Sequence, residues 1–206
     1  IPEVVLPKGY QKSIFLHISY ASTHLDKYGV KGGVVAPKRL ETIFRELANS
    51  DIVGFQAYSE GIYDDLNKFL IAHLGKNPMD SVKTLVKTYC ENYFGVRGKD
   101  AQKIVDVIYE LEDLKDESSQ ELVSILEDIG DRYKCLTNWR FELLLIRAKV
   151  AYLEWLIGDE NRWNKECANL DYEDRKNYIN RVDTLIEERR KILDYLERYV
   201  YRVGAQ

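Results

Sequence analysis

Two short apolar runs stand near the start of the chain, Ser13-Ile14-Phe15-Leu16-His17-Ile18-Ser19 and Asp51-Ile52-Val53-Gly54-Phe55-Gln56-Ala57-Tyr58. Each is bounded by turn-forming residues and predicts a β-strand. Between them Leu40, Ile43, Phe44 and Leu47 recur at helical spacing behind Pro37, a residue favoured in the first turn of a helix. The unit is strand, helix, strand, and a crossover of that length implies parallel strands. Parallel sheets are built from several strands covered on both faces, so a lone pair predicts further strands upstream of this sequence.

After residue 61 the alternation of period two gives way to a 3.6 period, which marks a boundary between an α/β segment, 1–60, and a helical bundle, 61–206. Asn77-Pro78 is expected to open a helix carrying Met79, Val82, Val86, Tyr89 and Tyr93, with Gly95 as its C-terminal stop. Ile104, Ile108 and Leu111 predict the next helix, and Leu122, Leu126, Ile129 and Tyr133 a third. Behind Thr137, an expected N-cap, two apolar seams run along one long helix. Trp139, Leu143, Ile146, Val150, Leu153 and Ile157 form one, and Phe141, Leu144, Ala148, Tyr152 and Trp155 the other. A helix apolar on two sides belongs in the middle of a bundle. A last helix, roughly 172 to 202, carries Ile179, Val182, Leu185, Ile186, Leu193, Leu196 and Val200. Arg189 interrupts that stripe, either to lay its methylenes on the core and reach water or to pair with Glu142 or Glu154. The expected architecture is mainly α with a small α/β N-terminal segment.

Composition narrows the partners. With 206 residues the chain can bury a core without a metal or disulfide staple. A net charge of −4 argues against duplex binding driven by counterion release, so nucleic acid is not an expected partner. No apolar run approaches a membrane span, and no basic segment followed by an apolar run stands at the start. Cys90, Cys135 and Cys167 are widely spaced, without a CxxC, and read as small buried apolar side chains. The sole methionine is Met79 and the chain opens on Ile1-Pro2-Glu3, so it is expected to be part of a longer or processed protein.

Ligands of parallel sheets bind at the carboxyl ends of the strands, and that rule selects the candidate chemistry. The first strand runs into Tyr20-Ala21-Ser22-Thr23-His24 and a loop reaching Ala36. The second ends in Gln56-Ala57-Tyr58-Ser59-Glu60-Gly61, where alternation sets Gln56, Tyr58 and Glu60 on one face. Hydroxyls, an imidazole and carboxylates together are the usual lining of a sugar site. Glu60 is the candidate for general acid/base work or for gripping a sugar hydroxyl, the alternative being a charge that complements the dipole of the next helix. Tyr20, His24, Gln56 and Tyr58 are candidate substrate contacts. Asp64, Asp65 and Asn67 are expected to be cap and solvated positions, His17 a core histidine and His73 a surface one. No GxSxG, HExxH, GxxxxGK[ST] or GxGxxG is present, and nothing in the residues asks for a metal or other cofactor.

The stretch from Gly54 to Leu70, with its core Tyr58-Ser59-Glu60-Gly61-Ile62-Tyr63-Asp64-Asp65-Leu66-Asn67, resembles the end of the catalytic barrel in large bacterial glycosidase-like proteins of the α-glucuronidase and α-N-acetylglucosaminidase type. The following Asn77-Pro78 and Tyr89-Cys90-Glu91-Asn92-Tyr93-Phe94-Gly95 are similar to that group's loop ending in Pro and helix ending in Tyr-Phe-Gly, and Arg140 is compatible with it. The resemblance implies the last strand-helix elements of a (β/α)8 barrel followed by a helical domain, with Glu60 on the active-site rim. It implies carbohydrate as the ligand of the parent barrel, the rest of that barrel as a partner, a periplasmic or extracellular location, and a second catalytic carboxylate on earlier strands. Two functional expectations follow. One is the C-terminal region of a glycoside hydrolase that supports the barrel without being catalytic alone. The other is a helical interaction module that associates, as an oligomer or with another chain, through its α/β segment. A complete small enzyme using Glu60 and His24 is a third.

Overall fold

The computed structural model describes residues 6–17, 34–59, 63–113, 119–166, 171–195 and 198. It is mainly helical, with one small parallel sheet. Strand β1 (Lys12–His17) leads through helix α1 (Pro37–Ala48) to β2 (Ile52–Tyr58), and the strands pair in parallel, as the crossover requires. Ser13 lies opposite Gly54, Phe15 opposite Gln56 and His17 opposite Tyr58. The helices α2 (Asp65–Leu74), α3 (Val82–Tyr89), α4 (Gly98–Asp113), α5 (Ser119–Arg132), α6 (Trp139–Glu166) and α7 (Tyr172–Tyr195) follow, with a π-helical turn at Cys90–Phe94.

Among the described residues, helices cover one face of the sheet and leave the other exposed. Ile14, Leu16 and Phe55 point inward, and the Phe55 ring meets Phe44 of α1 edge to face at 5.2 Å. One contiguous core then runs from Leu16 through α1 to α5 and into α6, so the sheet and the helices share their apolar interior. On the opposite face Phe15 is 62% and Tyr58 44% exposed, with Ser13 and Gln56 exposed beside them. The sheet has two strands among the described residues, so each keeps an outer edge without a paired strand there.

The two seams of α6 divide as their spacing implies. Phe141, Leu144, Leu145 and Ala148 join the main core, whereas Leu143, Ile146 and Val150 form a second cluster with Tyr63, Trp139 and Ile192 of α7. Among the described residues, helix α7 packs mainly on α6. That explains a departure from its expected stripe. Ile179 and Ile186 are about half exposed, because they lie to one side of the face that meets α6.

Two helix starts differ from expectation, and a third has a cap from a distant helix. The segment at Asn77-Pro78 is a turn in which Asp80 N–H donates to the Asn77 carbonyl at 3.0 Å, with Pro78 setting the turn. The helix begins at Val82, capped by Ser81, whose hydroxyl accepts from Thr84 N–H, and Met79 is exposed. Helix α6 is capped by Asn138 instead of Thr137, since Asn138 Oδ1 accepts from Arg140 N–H at 3.1 Å. Helix α1 has no side-chain cap from its own sequence; Glu112 of α4 supplies one, accepting from the amides of Lys38 (2.7 Å) and Arg39 (2.9 Å). Gly95 does end its helix, in the left-handed conformation at φ 71° that favours glycine.

Candidate functional site

The carboxyl end of β2 meets the first turn of α2, and this junction gathers the polar side chains. Two backbone clamps hold it: Val34 N–H donates to the Tyr63 carbonyl at 2.6 Å, and Ala36 N–H donates to Asn67 Oδ1 at 3.1 Å. Residues 34–36, which lead into α1, are thus tied to the start of α2. Asp64 Oδ1 accepts from the Ser59 hydroxyl at 3.0 Å and faces the Lys68 ammonium at 3.2 Å. Asp64 and Asn67 are completely buried, which corrects their expected role as solvated positions. Their spacing puts both on the side of the first turn that packs under residues 34–36, and burial there follows from the tertiary clamp.

Asp65, the next residue, is the hub of a second group. Its Oδ2 accepts from the Tyr89 hydroxyl at 2.8 Å and from Arg140 Nε at 2.7 Å, while Oδ1 lies 3.4 Å from Arg140 Nη2. The Arg140 guanidinium also lies over the Trp139 ring at 4.2 Å and the Tyr93 ring at 4.6 Å. The π-helical turn serves this arrangement. It delivers Tyr93 to Arg140 and leaves the Tyr93 carbonyl to accept from Asn138 Nδ2 at 2.6 Å. Burial, reinforced by the adjacent Asp65 carboxylate, drives the Tyr89 phenol far above its ordinary range, so it acts as a fixed neutral donor. A recess of about 20 Å³, the size of one water, lies against Asp65, Tyr89 and Arg140.

Of the five site residues chosen from the sequence, Glu60, Tyr20 and His24 lie outside the described residues. Gln56 and Tyr58 do share the open face of the sheet, and the Tyr58 ring stacks beside Phe15 with centroids 6.4 Å apart and planes 26° apart. Phe15 was not among the candidates, although its place opposite Gln56 follows from parallel register. The side chain of His17 is outside the described set. His73 is exposed, as expected, and Cys90 and Cys135 are free and buried. Arg189 is half-buried, and one suggested partner, Glu142, accepts from the Tyr195 hydroxyl at 2.7 Å. Neither Glu154's side chain nor Cys167 is described.

A second feature borders the site. An open groove lies beside β2, floored by Phe55, Ala57, Ile71, Ala72 and Gly75 and ending at Ser59 and Lys68. Among the described residues no group of three or more metal-ligating side chains comes together, and no helix is long and apolar enough to cross a membrane.

No protein-family profile, curated protein or solved structure matches this chain.

Proposed function

We propose that the chain is the C-terminal region of a glycoside hydrolase acting on polysaccharide or glycoconjugate sugars, in which the parallel pair completes a (β/α)8 barrel and the helices buttress it. One observation carries this reading: among the described residues the sheet is covered by helices on one face only, and Phe15, Gln56 and Tyr58 on its other face are exposed. In a closed barrel the outer face packs against helices and the inner face against the other strands. Gln56 and Tyr58 would then line the interior near its carboxyl end, where aromatic rings stack on sugars and an amide bonds their hydroxyls. Glu60 is the proposed acid/base residue on the rim, its partner carboxylate coming from an earlier strand. The Asp65–Arg140–Tyr89 group would fix the helical region to that rim.

The test compares the chain with a form extended upstream by the expected strand-helix units, each assayed on a panel of aryl glycosides. Turnover by the extended form, lost on Glu60→Gln, is the expected result. Activity in the short form alone would overturn the proposal, as would an upstream sequence without strand-helix units.

A second reading is favoured by the uncharged, apolar edge of β2 and the groove beside it: a helical module that associates through this α/β segment. Light scattering coupled to size exclusion separates the two. The module forms one stable, specific oligomer, whereas a truncated barrel associates without a defined stoichiometry.

A further inference from the structure

Asp64 and Asn67 are fully buried, and each keeps one polar atom without a hydrogen-bond partner among the described residues. On Asp64 this is Oδ2, an acceptor; on Asn67 it is Nδ2, a donor. An unmet buried polar atom costs about 1–3 kcal/mol, and more when it belongs to a charged group, so a pair of them is a strong signal of something bound. Asp64 immediately precedes α2 and Asn67 is its third residue, two positions that approach one another across the first turn of a helix. Asp64 does not spend this proximity on capping, for its side chain makes no cap hydrogen bond. Its Oδ1 is committed to Ser59 and Lys68, and the Asn67 Oδ1 to Ala36 N–H. One acceptor and one donor are left, at the carboxyl end of β2, where parallel sheets hold their ligands.

We propose that Asp64 and Asn67 bind a hydroxyl group that donates to Asp64 Oδ2 and accepts from Asn67 Nδ2. A hydroxyl fills both roles at once. A metal cation would leave the amide donor unmet, and an anion would oppose the carboxylate. Two sources supply such a group, a permanently held water and a hydroxyl of a saccharide. The site itself stands on burial and on the two unmet atoms; only the saccharide source rests on the function proposed above.

The experiment is a crystal structure of the full chain, grown without saccharide and again in the presence of D-glucose, at a resolution that shows ordered waters. The expected result is an oxygen about 2.6–3.2 Å from both atoms. The same isolated oxygen in both crystals identifies a held water, and a glucose hydroxyl in its place identifies the saccharide source. A structure in which no oxygen reaches both atoms, or in which protein groups satisfy them, overturns the site. That result leaves the glycosidase reading to its own assay, which does not depend on Asp64 or Asn67.

Discussion

Asp65 and Arg140 stand 75 positions apart in the chain and are joined by charge-assisted hydrogen bonds of 2.7 and 3.4 Å at the point where α2, α3 and α6 converge. Both side chains are about a quarter exposed, so the pair is desolvated enough to matter and wet enough not to need a perfect cage. Arg140→Lys keeps the charge but loses the planar fork and its stacking on Trp139 and Tyr93. It is expected to lower unfolding stability by about 1–3 kcal/mol in urea titration. A double-mutant cycle with Asp65→Asn should return a coupling of at least about 0.5 kcal/mol; additive effects would mean that the pair contributes nothing.

The cap that Glu112 places on α1 gives a local prediction. Glu112→Ala leaves the amides of Lys38 and Arg39 without their acceptor and should cost about 1–2 kcal/mol. Amide hydrogen exchange in the first turn of α1 should speed up while α5 keeps its protection. Unchanged exchange at Lys38 and Arg39 would show that the cap is idle.

Gly130 sits in α5 where a helix would ordinarily gain from alanine. A Cβ there would fall 2.7 Å from Phe141 Cε1 and would also overlap Leu136. Overpacking of this kind costs about 1–3 kcal/mol, against a propensity gain of about 1 kcal/mol. Gly130→Ala is therefore expected to lower the thermal midpoint, and a rise would show that α5 and α6 can separate without loss.

Asp100 yields a pH signature. Hydrogen bonds from Arg132, at 2.7 and 3.1 Å, hold its carboxyl below the ordinary value of 3.8. A depressed folded-state pKa adds stability that is present above the unfolded value and lost as pH falls through the folded one. Asp100→Asn should therefore be less stable than the parent at neutral pH, with the gap closing as the solution is acidified below 3.8. A gap that persists in acid would assign the loss to packing and not to charge.

Local sequence determined the two strands and the double-sided α6 through periods of two and 3.6, the helix beginning at Pro37 and the stop at Gly95 through the conformations those residues favour, and the parallel pairing through the length of the crossover. The open-face position of Gln56 and Tyr58 was legible from the period of two. Only the tertiary structure decided the roles of Asp64, Asp65 and Asn67. Acidic and amide residues at the start of a helix are ordinarily solvated caps, and what buries these is the return of residues 34–36 over α2 and the arrival of Arg140 from a distant helix. Local sequence records which face of an element a residue occupies. Whether another element comes to cover that face depends on contacts between positions far apart, which no local period encodes.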